Sequence, residues 1–321
     1  MKLLKTAFYV GFFGLIALNI HATEKIIVET GKPVELPGKA AKFDFMEADG
    51  DRILAAHKGT GTLTVFDTPN NKHLAEIPVG EVQGVAIDVK EHQYLLGNEG
   101  DKKVVVVDAA TLKQVGEIKV EGPVDAVAFD SKRRMLYADE DNGKRVWVID
   151  IPNRKVIDTV SIPGDPEVIA YDVTTDHLYQ NIKTNDSVLR IDPVSHKVDA
   201  TWSTLPATSP HGLAIDSKRG RIYVGGGNGK LVALDIQSGK VTSSADISKG
   251  VDQIAYNSSK HLIYCACKGF ISIVKVDETG GLQLVGHTPS PKGAHTIAVA
   301  SNNDVWVAFS NEKHSYLQRF K

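Results

Sequence analysis

From Lys42 to the C-terminus, short apolar runs rich in Val, Ile and Tyr alternate with clusters of Gly, Asn, Asp and Ser. Runs ending in aspartate recur as TLTVFD at Asp67, VVVVD at Asp108, VWVID at Asp150, VLRID at Asp192, LVALD at Asp235 and IVKVD at Asp277. Successive aspartates stand 41, 42, 42, 43 and 42 residues apart. A second series runs in phase with the first: GVAID at Asp88, AVAFD at Asp130, VIAYD at Asp172, GLAID at Asp216, QIAYN at Asn257 and TIAVA at Ala300. Beyond these lie apolar-aromatic steps, as at Leu136-Tyr137, Leu178-Tyr179, Ile222-Tyr223, Ile263-Tyr264 and Val305-Trp306. No helical period appears, so the runs read as strands separated by turns.

Four strands in a unit of this length form a propeller blade. Counting from Lys42 gives six full units and a seventh, residues 294–321, with room for only three strands. The missing strand is expected at the other end, where residues 30–38 repeat the outer-strand pattern seen at Ser238-Gly239-Lys240-Val241 and Ser161-Ile162-Pro163-Gly164. The predicted fold is therefore all-β: a seven-bladed β-propeller of four-stranded antiparallel blades, its ring closed by the N-terminal strand completing the C-terminal blade. Closure removes the sheet edges that an open array would expose. No linker divides residues 23–321, which read as one domain and one monomeric ring.

Residues 1–22 stand apart. Lys2 and Lys5 precede an apolar run from Ala7 to Ile20 that ends at small Ala22, the order of a secretory signal peptide. Cleavage near Ala22 predicts a periplasmic or secreted protein with no membrane span in its mature form. It also removes two lysines, taking the net charge from −2 to −4. An acidic chain gives no reason to expect a nucleic-acid partner. The only cysteines, Cys265 and Cys267, lie two apart in a strand, where a disulfide is geometrically poor, so they read as buried packing thiols.

The units resemble those of the YVTN-repeat β-propeller family. The resemblance rests on Ala214-Ile215-Asp216, Ile222-Tyr223-Val224, Val146-Trp147-Val148-Ile149-Asp150, Gly239-Lys240-Val241 and Ile77-Pro78-Val79-Gly80. It covers nearly all of the mature chain, although the tetrapeptide itself is eroded, for example to Tyr137-Ala138-Asp139-Glu140. It implies a secreted propeller and no single shared reaction.

In such propellers the loop leading into each innermost strand and the loop between the second and third strands open around one mouth of the channel, where ligand sites gather. The leading positions are Gln83, Asp125, Glu167, His211, Asp252 and His295; the second strands end at His57, Asn98, Glu140, Ile182, Gly226, Cys267 and Phe309. His211, His295, Asp125, Glu167, Asp252 and Glu140 are thus the expected ligand-binding residues. His57, His211, His295 and Cys267 form a candidate set for zinc or copper, which imidazole and thiolate suit. The opposing reading is that His211 and His295 simply cap their strands. An acidic arc of Glu99, Asp101, Asp125, Asp139, Glu140, Asp141, Glu167 and Asp186 invites a cation, but the run Asp139–Gly143 lacks the terminal glutamate of a calcium loop and reads as a turn around Asn142-Gly143.

His92, His177 and His261 in first turns, His73 and His196 in third turns, and the basic clusters Lys132-Arg133-Arg134 and Lys218-Arg219-Gly220-Arg221 fall on the opposite face and read as solvated surface. No G-x-S-x-G elbow, H-E-x-x-H helix or haem-attachment motif is present. The expected function is therefore an exported binding or interaction module that recognises a small ligand, metal or periplasmic protein at the channel mouth. The alternatives are a lactone hydrolase, lyase or metal-handling protein using the mouth histidines, and an accessory of a periplasmic redox system.

Overall fold

The computed structural model describes residues 28–321, so the predicted signal peptide, residues 1–22, lies outside them. The described strands form seven antiparallel sheets of four strands each. In blades 1 to 6 the strands follow one another outward from the channel, over residues 46–78, 82–119, 124–161, 166–203, 210–246 and 251–289. Blade 7 takes its inner three strands from Thr296–Val299, Val305–Ser310 and Ser315–Phe320, and its outermost from Val34–Glu35. Each innermost strand neighbours the next, and that of blade 7 neighbours that of blade 1.

The closing strand is shorter than residues 30–38. Regular pairing is confined to Val34 with Leu317 and Glu35 with Tyr316, because Pro33 and Pro37 have no N–H to give the ladder and Gly31 turns through φ +78°. Single bonds extend the contact: Val28 N–H donates to the Lys321 carbonyl at 2.7 Å, Thr30 to Arg319 at 3.1 Å and Leu36 to Ser315 at 2.8 Å. Leu36 is buried against Phe43, Trp306 and Leu317.

The core lies between blades. Second and third strands are buried almost throughout, whereas outermost strands alternate, as in the pattern of Val241–Asp246. The aromatic steps fill the gaps between sheets: Tyr94, Tyr137, Tyr179, Tyr223, Tyr264 and Trp306 are fully buried.

The two aspartate series do different work. Those closing third strands cap the following turn; Asp235 Oδ1, for example, accepts from the N–H groups of Gln237 and Ser238. Those closing innermost strands cap their own turn and also reach the next blade. Asp88 accepts from the N–H groups of Lys90 and Glu91 and from Arg134 of blade 3, at 2.9 Å. Asp172 accepts from Ser217 of blade 5, and Asp216 from Tyr256 of blade 6 at 2.7 Å. Arg133, bound to Asp130, also grips Asp176 of blade 4 at 2.7 and 2.8 Å. These bonds correct the solvated reading of the basic clusters: Arg133, Arg134 and Arg219 are staples between or within blades.

Candidate functional site

One repeat position builds the channel mouth. In blades 2 to 6 the pairing of innermost and second strands slips in register at the start, between Val82 and Val85, Val124 and Val127, Pro166 and Ile169, Pro210 and Gly212, and Val251 and Ile254. Gln83, Asp125, Glu167, His211 and Asp252 sit inside these bulges. A bulge breaks the pleat and re-aims its side chain, which turns a strand residue toward a site. His295 just precedes Thr296–Val299, and Asp44 precedes Met46–Asp49, in the remaining two blades.

Neighbouring side chains brace the bulges. Asn181 Nδ2 donates to the His211 carbonyl at 2.9 Å, Gln180 Nε2 to the Glu167 carbonyl at 3.1 Å, and Asp139 accepts from the Ala126 N–H at 2.7 Å. Gln253 links three blades, donating to the Met46 carbonyl at 2.7 Å and accepting from Met46 and Ile297 N–H groups at 3.1 Å. Gly212 is required by close packing, since a Cβ there would stand 2.7 Å from the Ile254 side chain.

The structure brings Glu167, His211 and Asp252 together, with one potential ligand atom from each within 4.8 Å of the others. His211 Nε2 lies 3.8 Å from Glu167 Oε1, while its Nδ1 faces the Ser209 carbonyl at 2.7 Å. Ser209 is held in a left-handed conformation, φ +50°, by its N–H bond to Asp186. His295 Nδ1 pairs with Asp252 Oδ2 at 2.6 Å. That hydrogen bond raises the His295 imidazole above its ordinary pKa despite burial. Burial works against the Asp252 carboxylate, but His295 and His211 outweigh it and hold it below the usual range. Glu167 is raised, chiefly by burial, although His211 and Lys183 oppose that shift; Lys183 Nζ lies 2.8 Å from its Oε1.

Asp125 is buried among carboxyls, and burial together with Asp139, Asp44 and Glu167 pushes it well above the ordinary value. Asp44 is pushed up to about 7, mainly by burial. A cleft of about 640 Å³ opens beside these residues, walled by Phe43, Ala308 and Phe309 and carrying Asp44, Lys58, Asp252, Lys268 and His295. Deeper in the channel, Phe45, Val85, Val127, Ile169, Leu213 and Ile254 form an apolar throat beside Glu47. The Glu47 side chain is exposed to the channel space, and desolvation by the surrounding wall pushes its carboxyl up to about 7.

His57, Cys267 and Glu140 do not join the cluster. His57 is fully buried, stacked on Phe43 at 4.1 Å with Nε2 2.9 Å from Ser315 Oγ. Cys267 is free and fully buried, donating to the Cys265 carbonyl at 3.4 Å. Glu140 is engaged by Arg145 at 2.5 and 2.9 Å, and that bond holds its carboxyl below the usual range. The physical reason for His57 and Cys267 is the two-residue period of a strand: the last paired residue points into the blade. The residue after it turns outward, which is where Glu99 of the acidic arc lies together with Lys58, Lys183 and Lys268, the three lysines unassigned from sequence. Asp139 likewise points inward to Ala126 and Gln180, and Asn142 adopts φ +52° in the predicted tight turn.

Strand order, ring closure and a charged channel mouth define a seven-bladed β-propeller, a fold that serves generally as an interaction scaffold. The chain belongs to the family described as "Repeat of unknown function (DUF6923)", which matches residues 86–250, just over half of its length. No curated protein matches the sequence. Similar solved structures include hydrazine synthase of Kuenenia stuttgartiensis, with a TM-score of 0.76 and 14% identity over 88% of this chain and 97% of that one. A chain of the mitotic checkpoint complex aligns with a TM-score of 0.76 and 13% identity over 99% of this chain and 98% of its own. U3-55K aligns at 0.77 and 11% identity over 91% and 99%. At these identities the likeness is one of fold alone.

Proposed function

We propose that the protein is an exported binding module that captures a small polar ligand in the cleft at the channel mouth. The observation that carries this reading is the cleft of about 640 Å³, which combines an aromatic wall, Phe43 and Phe309, with the Asp252 carboxylate, the Lys58 and Lys268 ammonium groups and the protonatable carboxyl of Asp44. A concavity of this size with an apolar wall and a few convergent polar groups is the ordinary form of a small-molecule site. A ligand bearing both an acidic and a basic group matches the lining. Export is supported by the charged, apolar, small-residue order of residues 1–22 and by the resemblance to YVTN-repeat propellers. Thermal-shift and calorimetric titration of amino- and carboxyl-bearing molecules against the protein and its Asp44→Asn and Lys268→Ala variants tests the reading. Binding that weakens at least about tenfold in both variants is expected, corresponding to about 1.4 kcal/mol. Ligands that bind both variants as tightly as the parent would place recognition elsewhere.

The Asp252–His295 pair favours a second reading, a hydrolase or lyase at the same cleft with His295 as a base oriented by Asp252. Turnover of lactones that disappears in His295→Ala would support it. Absence of turnover removes it.

A further inference from the structure

We infer that Glu167, His211 and Asp252 form a binding site for one divalent transition-metal cation, of the class that zinc represents. The inference stands on the geometry of these three residues and does not depend on the organic ligand proposed for the cleft. Each residue comes from the same bulge position in consecutive blades 4, 5 and 6, and their potential ligand atoms already lie within 4.8 Å of one another. Ligands of a tetrahedral zinc stand roughly 3.4 Å apart, from bonds of about 2.0–2.2 Å. The 3.8 Å separation of His211 Nε2 and Glu167 Oε1 is close to that spacing.

A second, independent feature distinguishes this group from a mere gathering of acids. Every member is also held by a neighbouring group outside the three. With its proton on Nδ1, His211 donates to the Ser209 carbonyl at 2.7 Å, which leaves Nε2, 3.8 Å from Glu167 Oε1, with a free lone pair. Asp252 Oδ2 is held by His295 at 2.6 Å, and Glu167 Oε1 by Lys183 at 2.8 Å. Backing of this kind fixes the tautomer and the carboxylate rotamers at metal sites. Lys183 takes only one of the several acceptor positions of Glu167, so the carboxylate retains capacity for a cation.

The donor set selects the metal. One imidazole nitrogen and two carboxylate oxygens suit zinc and its first-row neighbours, whereas calcium takes six to eight oxygens, more than this cluster offers. Copper in its thiolate-bound form is not favoured, because Cys267 lies buried in its own blade. Three protein ligands leave a coordination position for water or an incoming molecule. Asp252 and His295 also line the cleft, so a metal here would be a neighbour of whatever the cleft binds.

The test is calorimetric titration of EDTA-stripped, dialysed protein with zinc sulfate alone, paired with visible absorption after cobalt(II) substitution. The expected result is one zinc per chain, competed by cobalt and not by calcium, with the cobalt spectrum of a low-coordinate nitrogen–oxygen site. His211→Ala and Glu167→Gln should each weaken zinc at least about tenfold while leaving the metal-free melting temperature within about 2 °C of the parent. His295→Ala should weaken it about tenfold through loss of orientation. His92→Ala, on an exposed turn elsewhere, should bind zinc as the parent does. The inference is overturned by absence of saturable zinc binding, by calcium displacing zinc at equal concentration, or by His211→Ala binding as tightly as the parent. None of these outcomes bears on ligand binding by the metal-free cleft, which Asp44→Asn and Lys268→Ala report separately.

Discussion

His295 Nδ1 lies 2.6 Å from Asp252 Oδ2, tying blade 7 to blade 6 at the rim of the channel. Both side chains are partly open to solvent, so the pair's worth to stability is discounted for screening. His295→Ala is expected to lower the unfolding free energy of the metal-free protein by about 1 kcal/mol. Urea unfolding with an unchanged slope measures this. A loss several times larger would mean that His295 supports the ring by packing rather than by this bond.

Glu47 sets a pH dependence. Its carboxyl is pushed up to about 7 by enclosure in the channel, above the ordinary value of an unfolded glutamate. Between those two values the folded chain holds a proton that the unfolded chain releases, so stability falls as pH rises through that window. The protein is therefore expected to melt lower at pH 8 than at pH 5. In Glu47→Gln the difference should shrink. Equal pH dependence in parent and variant would show that Glu47 keeps its ordinary ionisation. Below about pH 4 the sign reverses, because Asp172 and Asp216 are held below their usual values against the effect of burial by hydrogen bonds, chiefly from Ser217 and Tyr256, and lose those bonds on protonation.

Ring closure rests on few residues. Leu36→Ala removes a buried side chain beside Trp306 and Leu317 and is expected to cost about 2–4 kcal/mol. Removal of residues 28–36 should lower the melting temperature further and promote association through the uncovered edge of Ser315–Phe320. Light scattering and calorimetry read both effects. A truncated protein that melts like the parent contradicts closure by this segment.

The two aspartate series should respond unequally to substitution. Asp216 is buried, caps a turn and accepts from Tyr256 of the next blade, so Asp216→Ala is expected to cost about 2–3 kcal/mol. Asp235 is more exposed and caps only its own turn apart from a bond with Arg221, so Asp235→Ala should cost about 1 kcal/mol. Denaturant titration of the two variants compares them directly.

The blades were readable because propeller repeats keep a constant strand and turn spacing, and Asp88, Asp130, Asp172 and Asp216 occupy one structural position. The mouth was readable in part for the same reason: Glu167, His211 and Asp252 share a repeat column. What the column does not encode is the bulge, which depends on how each strand registers with its neighbour and alone turns these residues inward. His57 and Cys267 show the converse, since a single step along a strand separates a buried side chain from an outward one such as Lys58 or Lys268. Asp44 belongs to the same column as Glu167 but lies at the start of the first unit, before the repeating runs that defined the phase. Arg133 and Arg134 resemble solvated turn residues by composition, and only the stacking of adjacent blades gives them Asp176 and Asp88 as partners.

The claim that one bulged repeat position builds a functional site at the channel mouth is tested most directly by an anomalous difference map at the zinc edge, from crystals of the zinc-titrated protein. The account predicts one peak per chain, bounded by Glu167, His211 and Asp252. A map without a peak there, or with its strongest peak at a surface pair such as His177 and Asp199, would contradict it.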